Sequence, residues 1–114
     1  MKLREPYKFS EILEFIITQL DSETSYCIYS SIYDSKNCNL DTICYLDEYP
    51  EITDDDKEIY PAFAANNSLE LLFRDELVQD VVLSVLEQKS SATKNEILMA
   101  IQYYDENDDF MDFD

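Results

Sequence analysis

The chain has 114 residues, 46% of them hydrophobic, and its 26 acidic residues against 8 basic ones leave a net charge of −18. That length suits one domain, 1–114, with one core, and a field of this sign repels nucleic acid and anionic membranes, whose binding rests on Lys and Arg displacing counterions from phosphate. Glycine and histidine are both absent, which removes phosphate-cradling loops, dinucleotide fingerprints, the G-x-S-x-G nucleophile elbow and the Ser-His and Cys-His nucleophile pairs.

In chain order, Phe9, Ile12, Leu13, Ile16 and Leu20 recur at the spacing that lines one helix face, with Glu11, Glu14 and Gln19 outward. This predicts a first helix over about residues 8 to 20. The DSETS cluster at 21 to 25 breaks the period. SYCIYSSIY, rich in Tyr and Ile, then predicts a strand. In LDTICYLDE, Leu40, Thr42, Cys44 and Leu46 alternate with Asp41, Ile43, Tyr45 and Asp47, a second strand with the first set buried and the second wet. The two strands form a hairpin.

Residues 47 to 61 carry two prolines and the densest charge, and read as a loop that AFAANN continues irregularly. LELLF at 69 to 73 is a third candidate strand. From Asp75, a candidate N-cap, Leu77, Val78, Val81, Val82, Val85 and Leu86 make a helical stripe that outweighs the strand preference of valine. QKSSA interrupts it. Thr93 with Glu96 three residues on is a capping box, and Ile97, Leu98, Ile101 and Tyr104 continue a last helix to about Asp105. The expected fold is α+β: an N-terminal helix, a small antiparallel sheet of two or three strands, and two C-terminal helices.

Cys27, Cys38 and Cys44 match no zinc module and are expected as reduced thiols. The apolar run ILEFII is broken by Glu14, no small-residue cleavage site follows, and no stretch approaches the roughly 20 apolar residues that span a bilayer. A reducing cytoplasm is the expected compartment.

Half of the acidic residues fall in two segments. Asp47, Glu48, Glu51, Asp54, Asp55, Asp56 and Glu58 form one, and Asp105, Glu106, Asp108, Asp109, Asp112 and Asp114 the other. In the second, Asp105, Asn107 and Asp109 match the first three ligand positions of an EF-hand. Phe110 stands where that loop needs glycine, however, and its twelfth-position Glu has no counterpart. No metal, cofactor or catalytic residue is assigned. Among 26 carboxylates some pair always lies at a glycosidase-like distance, so that signal has no specificity. Aromatic residues thread both segments: Tyr49 and Tyr60 bracket the first, and Tyr103, Tyr104, Phe110 and Phe113 run through the second, where Tyr104 and Phe110 are expected to close the core. Aromatic anchors ringed by charge are a common interface pattern, and the natural partner of such a surface is a basic protein. The residues assigned to partner binding are Asp47, Glu48, Tyr49, Asp54, Asp55, Asp56, Glu58, Asp105, Glu106, Asp108, Asp109 and Asp112.

The second half of the chain, AFAANNSLELLFRDELVQDVVLSVLEQK followed by EILMAIQYYDENDDFMDF, resembles small acidic immunity proteins of contact-dependent growth-inhibition and polymorphic toxin systems. The resemblance implies a non-enzymatic bacterial inhibitor that binds one cognate toxin, a basic nuclease domain by the charge argument, and protects the producing cell. A nucleic-acid mimic that disarms a DNA-binding or restriction-type protein is the alternative, and an enzyme or cation-binding domain a third reading.

Overall fold

The helical spacing at Phe9, Ile12, Leu13 and Ile16 is realised in the computed structural model, which describes residues 2–18, 26–32 and 34–112. In chain order the elements are β1 (Tyr7–Lys8), α1 (Phe9–Thr18), β2 (Cys27–Ser30), a 3-10 turn (Ser35–Asn37), β3 (Ile43–Asp47), β4 (Glu51–Ile52), β5 (Glu58–Ile59), α2 (Ala62–Asn66), β6 (Glu70–Arg74), α3 (Asp75–Gln88) and α4 (Lys94–Asn107). The fold is α+β, as expected, with more sheet than the two or three strands anticipated. Four antiparallel strands run in the order β1, β3, β2, β6, and β4 pairs with β5 as a separate hairpin. The expected break over 21 to 25, and the ends assigned to residues 19, 20, 25 and 33, lie outside the described residues.

The central strand β2 has a neighbour on each edge and is buried along its whole length. Alternation sends Ile28 to one face, against Cys44, Leu46 and Phe73 and under the apolar stripes of α1, α3 and α4. Val78, Val81, Val82 and Val85 of α3 and Ile97, Leu98 and Ile101 of α4 are all buried in this core, each stabilising the fold by about 1.5–3 kcal/mol. Cys27 and Tyr29 point to the opposite face, into a second cluster with Ala64 and Leu69 that Tyr45, Tyr49, Tyr60 and Phe63 flank. Leu72 is left unpaired by a bulge, since Phe73 faces Ile28 while Leu71 faces Tyr29; Leu72 and Phe73 therefore both serve the helical side and Leu71 the other.

This second layer corrects the reading of residues 40 to 66. Cys44 and Leu46 are buried as expected, but the face that carries Tyr45 and Asp47 is covered too, and Asp47 is fully buried. The charged loop contains the β4–β5 hairpin. Asp54 and Asp55 make its turn, Asp56 takes a left-handed φ of 60°, and Thr53 N donates to Lys57 O at 2.9 Å, a three-residue connection that aspartate tolerates in place of glycine. AFAANN is not irregular. Ala62–Asn66 form a helical turn after Pro61, and a Schellman closure ends it: Ser68 is left-handed, Leu69 N reaches Ala64 O and Ser68 N reaches Ala65 O.

The helix boundaries differ slightly from expectation. Arg74 holds the N-cap position of α3 without a side-chain bond, and Asp75 is its first helical residue. The Thr93–Glu96 capping box forms with both its bonds, and α4 runs to Asn107 rather than Asp105. Phe110 does not enter the core: it is 41% exposed and leans on the half-buried Tyr104 at 4.9 Å between ring centroids, while Met111 packs on the core instead. Phe113 lies outside the described residues. All three cysteines are free thiols and buried.

Two substitutions gauge these forces. Thr93→Ala, which removes an N-cap acceptor, is expected to cost about 1 kcal/mol, and Ile101→Ala, at a fully buried site, about 2–5 kcal/mol. Urea unfolding midpoints at constant m-value measure both.

Candidate functional site

The structure sorts the assigned acidic residues into two groups at opposite ends of α3. The first surrounds its N-terminus. Tyr49 donates its hydroxyl to the Asp75 carboxylate, Arg74 lies over the Tyr49 ring with its guanidinium carbon 5.6 Å from the centroid, and Arg74 Nη2 is 3.1 Å from Glu58 Oε1. The second lies at and beyond the end of α4 and meets the C-terminus of α3 where Gln88 Nε2 donates to Met111 O at 3.0 Å. With 14 residues in α3, the two ends are roughly 20 Å apart at 1.5 Å per residue.

The C-terminal acids are largely engaged within the molecule. Ser35 Oγ donates to Asp105 at 2.6 Å, Lys36 Nζ pairs with Glu106 at 3.2 Å, and Gln102 Nε2 donates to the carbonyls of Ser35 and Cys38. Asp108 is the left-handed C-cap of α4, and Asp109 accepts from the Phe110 amide. Asn107 Nδ2 donates to Tyr103 O, so the EF-hand-like side chains serve as tethers and caps. Asp112 is exposed.

The first group is built differently. Asp47 is withdrawn from solvent: its Oδ1 accepts from the Glu48 amide at 2.8 Å and meets Arg4 Nε at 3.3 Å, while its buried Oδ2 has no hydrogen-bond partner. Glu48, Glu51, Asp54, Asp55, Asp56 and Glu58 are exposed. The pairing of Glu51 with Ile59 and of Ile52 with Glu58 gives each face of the hairpin one carboxylate and one isoleucine, and both isoleucines are more than half exposed.

On the Glu51 and Ile59 side, the hairpin borders a cleft of about 720 Å³. Arg4, Glu48 and Tyr49 form another wall, and Pro61, Ala62 and Phe63, at the start of α2, close it next to Tyr60. Its aromatic lining is held from behind. The Tyr29 hydroxyl donates to Glu48 O at 2.8 Å, the Tyr29 and Tyr60 rings meet edge to face at 5.6 Å, and Tyr45 leans on Phe63 at 5.5 Å. Tyr60 bonds to Glu70 Oε2 and accepts from the Leu71 amide, tying the cleft to the edge strand β6.

Reading the sequence assigned Glu48, Tyr49, Asp54, Asp55, Asp56 and Glu58 but did not assign Arg4, Glu51, Tyr60 or Phe63, which line the cleft. The alternation of Cys27 and Tyr29 with Ile28 was the available signal, because a thiol and an aromatic ring on the far face of a central strand require a cover.

Burial raises the pKa of several ionisable groups on the two faces of the sheet. It pushes Tyr26 up to about 12, with the Asp75 charge adding to it, and pushes Cys27 up to about 12 against a smaller opposing effect of Arg74. Tyr49 is raised by burial and by its bond to Asp75, and Tyr29 chiefly by burial. A raised folded-state pKa means that the native state holds its proton more tightly than the unfolded chain. The stabilisation is therefore complete below the unfolded values, 9.0 for the thiol and 10.0 for the phenol, and is lost as pH rises toward 12. The urea midpoint is expected to hold up to about pH 9 and to fall steeply from there to pH 12. Tyr49→Phe, which deprives the buried Asp75 of a donor, is expected to cost about 1–3 kcal/mol at pH 7.

Among the described residues no helix is long and apolar enough to cross a membrane, and no group of three or more Cys, Asp or Glu is disposed to hold a metal ion. No curated protein and no solved structure matches the chain. Residues 8–113, almost the whole of it, match one family, and the chain belongs to that family, the domain of unknown function DUF7716.

Proposed function

We propose that the chain is a non-enzymatic inhibitor of a basic protein: an immunity protein that neutralises a cognate toxin, a nuclease domain, by covering its cationic substrate groove with the β4–β5 hairpin. The observation that carries this reading is the hairpin itself. Asp54, Asp55 and Asp56 stand at its turn, Glu51 and Glu58 on its strands, and Ile52 and Ile59 are exposed beside them at 60% and 52%. Carboxylates spaced on a folded ribbon can pair with the Lys and Arg that a nuclease uses for phosphate. The isoleucines supply the apolar contact that charge alone lacks, since interfacial charge contributes steering and specificity more than affinity.

The net charge of −18 favours fast capture, which an inhibitor of a toxin needs. Three of the C-terminal acids, Asp105, Glu106 and Asp109, have internal partners, so that segment enters this reading chiefly through the long-range field.

The test is co-expression with the toxin encoded directly upstream, followed by binding measurements. The triple variant Asp54→Lys, Asp55→Lys, Asp56→Asn lies on an exposed turn and should fold normally, since asparagine keeps the left-handed position that Asp56 holds. It is expected to lose rescue and to associate at least about tenfold more slowly, with a flatter dependence on salt. Full rescue by this variant would overturn the hairpin mechanism. Binding to several unrelated DNA-binding proteins would point instead to a nucleic-acid mimic.

A further inference from the structure

We propose that the cleft beside the hairpin is a guanidinium site, which takes an arginine side chain presented by the protein partner; this rests on the preceding reading that the partner is basic. Glu48 and Glu51 are the carboxylate acceptors, and Tyr49, Tyr60 and Phe63 are the walls.

The molecule already holds cations of this kind here. Arg4 lines the cleft with Nε 3.3 Å from Asp47 Oδ1 and Nη2 3.9 Å from Glu48 Oε1, in a left-handed backbone conformation (φ 65°) that non-glycine residues avoid unless contacts hold them. A second guanidinium, Arg74, lies over Tyr49, one of the cleft's own aromatic rings.

Charge and hydrogen bonding leave room for another cation. Asp47 contacts two lining residues, Arg4 and Glu48, from behind the wall; it is wholly buried, and Arg4 meets only its Oδ1 while Oδ2 is unpartnered. Asp47, Glu48 and Glu51 thus set three carboxylates against the one guanidinium of Arg4, so the cleft stays negative after its internal pair is formed. Among the described residues no ion pair joins Glu51 to a cation, whereas Glu58 finds one in Arg74 on the other side of the hairpin.

Arginine fits better than lysine. Its planar fork can address two separated carboxylates while its face lies on an aromatic ring, and it is more weakly hydrated, so entering a half-enclosed cleft costs it less. The Tyr29 to Glu48, Tyr29 to Tyr60 and Tyr45 to Phe63 contacts fix the walls in advance, which lowers the cost of ordering on binding.

The experiment is a titration of the isotopically labelled full chain, followed by amide chemical shifts, with the blocked tripeptide acetyl-Gly-Arg-Gly-amide and its lysine and citrulline counterparts. The expected result is saturable shifts centred on Glu48, Tyr49, Glu51, Tyr60 and Phe63, weaker for lysine and absent for the uncharged citrulline. Glu51→Gln should weaken arginine binding by about tenfold, the effect of losing one charged partner. Asp108→Asn with Asp112→Asn, an equal or larger loss of charge on the far end of α3, should leave it within about twofold. Shifts spread over both acidic segments, an equal response to citrulline, or no saturable response would overturn the proposal. If these appear while rescue still depends on the hairpin charges, the guanidinium site falls and the immunity reading stands. If arginine binds as expected but no toxin is neutralised, the reverse holds.

Discussion

Everything else in the fold depends on β2 being buried on both faces. A strand with neighbours on each edge has no route to solvent through its backbone, and Cys27, Ile28, Tyr29 and Ser30 are each fully buried. One cover is conventional, three helices laid on the Ile28 side. The other is built from a hairpin, a short helix and a set of aromatic rings, a lighter layer that Cys27 and Tyr29 hold down. Two buried carboxylates fasten that layer to the frame: Asp47 through Arg4, from the N-terminal arm, and Asp75 through Tyr49, from the start of α3. Removing one partner of such a contact is costly because the other is left buried and unpaired.

The elements that could be read in advance are those whose determinants are local. The stripes of α1, α3 and α4 and the Thr93–Glu96 box each lie within one stretch of sequence, and LELLF was apolar enough to stand out as β6. What could not be read was either too short or chemically disguised. β1 and the two hairpin strands have two residues each, below the length at which alternation carries information. In a chain without glycine the usual turn signals are missing, and among the described residues the left-handed positions fall to Arg4, Asp56, Ser68 and Asp108. The hairpin turn therefore looked like a plain charge run.

The misplacement of Asp47 has the same origin. Alternation correctly put it on the same face as Tyr45, but whether that face is wet depends on what residues 48 to 71 do, and no local pattern reports that. The acids and Tyr49 at the candidate site were visible from composition. The cleft was not, since its walls come from the N-terminal arm, the turn after β3, the hairpin and α2, and converge only in three dimensions.

This sorting of charge bears on how a net −18 can produce a directed surface rather than a uniformly repellent one. The first acidic group is tied to the start of α3 and the second, through Met111, to its end, two points roughly 20 Å apart at 1.5 Å per residue. At physiological ionic strength the screening length is about 8 Å, so each group is felt almost independently by anything in contact with the other. A partner docked on the hairpin meets the local field of Glu48, Glu51, Asp54, Asp55, Asp56 and Glu58, moderated by Arg4, Lys57 and Arg74. The far group adds only to the approach. What distinguishes the two ends is then the degree to which their carboxylates are already satisfied. Ser35, Lys36 and the Phe110 amide occupy Asp105, Glu106 and Asp109 at the end of α4, whereas the hairpin projects its turn carboxylates next to exposed isoleucine and an aromatic cleft. Apolar surface accompanies the charge at both ends, but Ile52 and Ile59 are more exposed, at 60% and 52%, than Phe110 and Tyr103 at 41% and 40%, and they stand beside a cleft whose aromatic walls a partner can bury, which makes the hairpin the end from which recognition draws more affinity.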